Sequence, residues 1–177
     1  MTQTSNPLRQ FFRQPAIYLK LPSAGKYWPA ASLDLPANGE VPIYPMTAID
    51  EITYRTPDAL FNGQAVISVI QSCVPAIKNA WHVPNIDLSP LLIAIRIASQ
   101  GHEMGLNAVC PSCSHEEEYA LDLRTVLDQL RVPNFAETLN YGDLEIVFKP
   151  VTYEQQNQSS IAQFEQQKIL STLPTSE

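Results

Sequence analysis

The stretch Asp87–Gly101, "DLSPLLIAIRIASQG", decides how the chain is read, because it is the clearest element in the sequence. Ser89 is a natural N-cap, Pro90 suits the first helical position, and Gly101 suits the left-handed residue that follows a helix. The spacing predicts a helix of about eleven residues. Leu91, Leu92, Ile95 and Ala98 share one face, with Ile93 and Ile97 beside it, so this helix is expected to be central and mostly buried. Arg96 is then a polar residue in an apolar helix. Its expected role is structural, as an ion pair with Asp50, Glu51 or Asp87.

Upstream, the texture is extended before it becomes helical. Residues 1–20 are Gln-rich, lack periodicity and read as an extended arm. "YLKLPSAGKYWP" (Tyr18–Pro29) gives a short strand signal, a turn, and two aromatics expected to be exposed. "GEVPIYPM" (Gly39–Met46) alternates Val41 and Ile43, and its prolines restrict it to an edge strand. Thr47, with Asp50 in the first turn, predicts a helix start. Thr56 and Pro57 predict another, broken at Asn62-Gly63. Val66, Ile67, Ile70 and Cys73 then mark a buried helical face that ends at Pro75.

Downstream, two short alternating segments flank "CPSC" (Cys110–Cys113) and predict a hairpin with the cysteines at its tip. "RTVLDQLR" reads as a short helix. "AETLNYGDLEIVFKP" predicts a second hairpin turning at Gly142-Asp143, with Leu144, Ile146 and Phe148 on one face. "TYEQQNQSSIAQFEQQKIL" opens with a capping box, Thr152 to Gln155. It continues as a Gln-rich helix with a thin apolar stripe of Tyr153, Ile161 and Phe164. The fold class is α+β: a helical core over about residues 47–101, two β-hairpins, an N-terminal arm and a C-terminal helix. The organisation is an arm at 1–20, one α+β domain at 21–150, and a helix and tail at 151–177.

At 177 residues and 45% hydrophobic, the chain is one domain's worth of sequence and can build a core. Only 16% of its residues are charged, against about 25% in a typical soluble domain, as expected of a subunit covered by neighbours. The net charge of −7 is segregated: Arg9, Arg13, Lys20 and Lys26 all precede the first acid, Asp34. Either the arm is merely solvated, or Arg9, Arg13 and Lys20 dock it on an acidic partner, with Phe164 of the terminal helix as a further partner-binding candidate. Four bases on an acidic body supply few phosphate contacts, which disfavours nucleic acid. "PLLIAIRIA" is too short for a membrane span and contains Arg96, and "MTQTSNPLRQFFRQ" lacks the apolar core of a signal peptide. Three cysteines without a signal point to synthesis in a reducing cytoplasm.

Cys110 and Cys113 leave three readings open. They are half of a structural zinc site needing two more ligands, with Cys73 and His102 as candidates and His82 and His115 in a lesser place. They are a redox dithiol, which requires a helix N-terminus at the first cysteine and is opposed by Glu116, Glu117 and Glu118. Or they are two unliganded thiols, or an incidental disulfide, at a hairpin tip. No catalytic residues are assigned: no Ser-His-Asp signature, phosphate-binding glycine loop or HExxH stands in the chain.

The order of motifs is more specific than any one of them. "LPSAGKYWP", "PMTAIDEITYRTPDALFNGQAVISVIQSCVP", "DLSPLLIAIRIASQG", "CPSC" and "IVFKPVTYEQQ", with a later "FEQQKI", together resemble a family of T4-type phage baseplate proteins. These are the hub subunits or hub-assembly factors of contractile-tailed (myovirus) phages and prophages. The similarity runs from about Leu21 to about Ile169. It implies a non-enzymatic virion protein of the tail baseplate, made in the bacterial cytoplasm and assembling with hub, tube or wedge proteins. A transient hub-assembly chaperone is the alternative, and a zinc- or thiol-dependent enzyme using Cys110 and Cys113 stands further off.

Overall fold

Strand β1 (Ile17–Lys20) pairs antiparallel with β2 (Glu40–Ile43), matching Ile17 to Ile43 and Lys20 to Glu40. With only two strands, both are edges, which accommodates Pro42 opposite Tyr18. Val41 and Ile43 point inward and are fully buried. The computed structural model describes residues 13–57, 62–131, 133–135 and 137–172. Those residues form five α-helices and three two-stranded antiparallel sheets, an α+β architecture.

Helix α1 (Ala48–Tyr54) begins with a capping box: Thr47 caps the Asp50 amide while the Asp50 carboxylate accepts from the Thr47 amide. Pro57 is helical, and residues 58–61 lie outside the described residues. Helix α2 (Gln64–Cys73) follows Gly63 and buries Ala65, Ile67, Val69, Ile70 and Cys73, while Val66 is only partly buried. Helix α3 (Asn85–Gln100) buries Leu91, Ala94 and Ile95 against β1, β2 and α2. Each fully buried Ile or Leu, such as Ile43, Ile67, Ile70 and Leu91, contributes about 1.5–3 kcal/mol by leaving water.

Helix α3 starts earlier than its sequence signals predict. Its N-cap is Pro84, not Ser89, and Pro90 lies inside it. Tertiary hydrogen bonds hold the extra turn: the Asn85 amide donates to the Val151 carbonyl (2.9 Å), and the Tyr153 amide to that of Val83 (2.8 Å). Asp87 is thereby in the first turn, where the helix dipole favours an acid. Gly101 ends the helix as expected, at φ 88°.

Strands β3 (Glu103–Val109) and β4 (Glu116–Asp122) form the first predicted hairpin. Helix α4 (Leu123–Gln129) is capped by Asp122. Strands β5 (Thr138–Tyr141) and β6 (Leu144–Val147) form the second hairpin, turning at Gly142 (φ 60°). Helix α5 (Tyr153–Thr172) opens with the predicted capping box, the Gln155 side chain accepting from the Thr152 amide at 3.0 Å. Tyr153 stacks on Trp81 at 5.7 Å between rings, and Asn157 donates to the Asn62 carbonyl. These contacts dock the first turns of α5 on the body.

Among the described residues the apolar core runs from Leu19 to Ile95, and beyond it Leu123 is the one further buried apolar side chain. Everything from β3 to β6 adds little to that core. This asymmetry sets the functional question.

Candidate functional site

The first hairpin places Cys110 and Cys113 at its tip, both exposed. The Cys110 amide donates to the His115 carbonyl at 2.9 Å, and the Ser114 amide to the Cys110 carbonyl at 2.8 Å. Closing so tight a loop puts Ser114 in the left-handed region, at φ 56°. Hydrogen bonding from the backbone N–H groups of Ser112 and Cys113, and from the Cys113 side chain, holds the Cys110 thiol below its usual range. A strand, not a helix, follows the second cysteine, so no helix dipole acts on the pair.

The candidate further ligands lie elsewhere. Cys73 is fully buried at the end of α2, where burial pushes its thiol up to about 11, against the opposing charge of Arg13. His102 is at the base of the hairpin, more than about 20 Å of extended strand from the tip, with its ring near Glu103. His82 bonds Ser32 Oγ through Nδ1 at 2.7 Å. Among the described residues, no three His, Cys, Asp or Glu side chains gather to hold a metal.

The residues expected on an arm divide. Arg9 lies outside the described residues. Arg13, expected to reach a neighbour, is turned into the body instead. It donates to the Ser72 carbonyl at 2.9 Å and to the Pro45 carbonyl, touches Cys73 Sγ, and pairs with Asp50 at 3.6 Å. Lys20 sits exposed on β1 opposite Glu40. Phe164 is half exposed on α5. Arg96 donates to the Gly101 carbonyl at the end of its own helix, at 3.2 Å. Two of the carboxylates it was expected to pair with have other partners: Asp50 binds Arg13, and Asp87 accepts from Ser23 and Trp28.

That Asp87 junction was not anticipated. Its carboxylate takes the Ser23 amide (2.8 Å), the Ser23 hydroxyl and the Trp28 indole N–H (2.7 Å), tying the "LPSAGKYWP" turn to α3. The two aromatics expected to be exposed are therefore engaged: Trp28 by Asp87, and Tyr27 edge-on to Phe135 at 5.6 Å. An apolar cleft of about 270 Å³ lies against α1–α3, lined by Met46, Tyr54, Leu92 and Ile95 with Glu51, Arg55 and Arg96. Its lining includes the carboxylate of Glu51 but no Ser, Cys or His.

The exposed faces are more distinctive. Register puts Leu139 opposite Ile146 and Tyr141 opposite Leu144, all on one face of β5–β6, and Phe148 extends it. Their exposures are 57%, 37%, 78%, 65% and 50% respectively, far above those of a covered sheet. Met104, Leu106, Tyr119 and Leu121 likewise share one face of β3–β4. Of the large apolar side chains exposed among the described residues, four precede β3 and fifteen follow its start. The sequence reading found Leu144, Ile146 and Phe148 but missed Leu139 and Tyr141. The alternation in "TLNY" was the available signal.

Among the described residues no helix is long and apolar enough to cross a membrane. The family model for "T4 bacteriophage base plate protein" matches residues 14–173. No curated protein and no solved structure matches the chain.

Proposed function

Since the chain belongs to the T4 bacteriophage base plate protein family, we propose that it is a structural component of a contractile tail's baseplate hub, acting by protein–protein docking. The observation that carries this reading is the exposed apolar face of β5–β6, Leu139, Tyr141, Leu144 and Ile146, extended by Phe148. An isolated two-stranded hairpin is marginal in water, and five large side chains held out of a core need another surface. The face of β3–β4 supports the same reading. Lys20 and Phe164 extend the docking surface onto β1 and α5, and neighbouring hub, tube or wedge subunits are the partners.

The family favours a non-enzymatic role, in which affinity for neighbours is the function. Apolar faces that close against partners also suit a transient assembly chaperone. Quantitative mass spectrometry of purified tails separates the two. A resident subunit appears at a fixed copy number set by the baseplate's rotational symmetry. A chaperone is present in the infected cell and missing from the particle, and that result would overturn the resident reading.

A further inference from the structure

We propose that Cys110 and Cys113 form half of a tetrahedral zinc site whose other half is the same pair on a second copy of the chain. Two features of the tip argue for metal. The turn is closed by the Cys110 amide on the His115 carbonyl and the Ser114 amide on the Cys110 carbonyl, which holds the two cysteines of a C-x-x-C pair in one tight loop, the way half of a zinc site begins. The tip is also exposed, so an ion reaches it without moving the fold.

Completion from outside the chain follows from a full account of its soft ligands. The sequence has three cysteines and three histidines. Cys73 is buried beside Arg13, His82 is bonded to Ser32, and His102 is a strand's length away. His115 forms no three-ligand group with the pair. A structural zinc ion takes four protein ligands, and a second copy brings two more thiolates already placed by an identical turn. A second observation points the same way. Cys110 continues the alternation of Met104, Leu106 and Ala108, so tip-to-tip contact also brings the apolar face of β3–β4 against its counterpart. The contact is opposed by Glu116, Glu117 and Glu118 on each tip. The dimer should therefore need the ion, and should tighten rather than loosen as salt is raised. On binding, four thiols release their protons to solvent, and no redox change is involved.

The test uses the full reduced chain titrated with Zn²⁺ and followed by native mass spectrometry. One ion per two chains is expected, with a dimer that chelator returns to monomer. Two thiols per chain should become protected from alkylation, and Co²⁺ in place of Zn²⁺ should give a tetrahedral thiolate spectrum. The Cys110→Ser/Cys113→Ser variant should lose ion and dimer together, while its near-ultraviolet circular dichroism, reporting Trp28 and Trp81, stays as in the wild type. No retained zinc, one ion per monomeric chain, or a zinc-dependent dimer that survives the double substitution would each overturn the proposal.

Discussion

Two carboxylates hold the body together at the level of single residues, and they respond to pH in opposite senses. Burial pushes the Asp50 carboxyl up, but hydrogen bonds from Thr47 and Ser72 and the charge of Arg13 outweigh it and hold it below 3.8. Asp50 thus stabilises the fold above its unfolded pKa, and that contribution is lost as pH falls through the lower folded value. Asp50→Asn should lower the melting temperature at pH 7 and flatten the acid side of the stability profile, measured by thermal melts between pH 7 and 3. For Asp87 burial dominates the Ser23 and Trp28 hydrogen bonds and raises its pKa, so its contribution is fullest at low pH and declines as pH rises through the folded value. Asp87→Ala strands three donors and should cost about 3 kcal/mol in urea unfolding. The thiols divide as sharply. Cys110 and Cys113 should react with a disulfide reagent in the native protein, whereas Cys73, with its thiol near 11, should react only on unfolding. Three equally fast thiols would contradict the burial of Cys73.

How much was legible differs between single positions. The Thr47–Asp50 and Thr152–Gln155 capping boxes lie three residues apart, so they are visible in sequence. Asp87 with Ser23 and Trp28 spans about sixty residues, and no local rule links them. Arg13 read as part of a basic arm because its partners, Pro45, Asp50, Ser72 and Cys73, converge only in three dimensions.

Elements were legible where their own residues decide them. Periodicity marked Ile67, Ile70 and Cys73 on α2 and Leu91 and Ile95 on α3, but Val66, Leu92 and Ala98 are only partly buried and Ala94 was missed; both hairpin turns followed from their turn residues. The start of α3 escaped because the proline rule is a local preference, and the bonds between Asn85, Val83 and residues 151–153 override it. Those bonds make the docking of α5 and the start of α3 one cooperative feature. Gly63 lies at the same junction, at φ 78°, and an added Cβ would sit 2.9 Å from Asn157 Oδ1 and 3.0 Å from the Tyr153 hydroxyl. Gly63→Ala should therefore cost about 1–2 kcal/mol in backbone strain and also lift α5. Hydrogen exchange should show faster exchange across residues 153–161, with α2 and α3 unchanged at low denaturant. Equal acceleration of all three helices would mean that α5 is not a separate docking unit.

The whole molecule divides its apolar residues between a core and a display. The core, from Leu19 to Ile95, is buried, while the two hairpins present apolar faces that the described residues leave exposed. That division fits a base plate protein that completes its packing against neighbours. The sequence showed the low charge and the alternation of the strands. It could not show which faces stay open, since exposure depends on what the rest of the chain fails to cover. Docking through the β5–β6 face is tested by a phage carrying Leu139→Glu and Leu144→Glu, with purified tails assayed for the chain. Each change lies on an exposed strand and should move the isolated protein's stability by no more than about 0.5 kcal/mol. At a packed interface each should cost more than about 2 kcal/mol. The predicted result is a folded variant absent from, or strongly depleted in, the tails; wild-type incorporation and infectivity would contradict docking through the β5–β6 face.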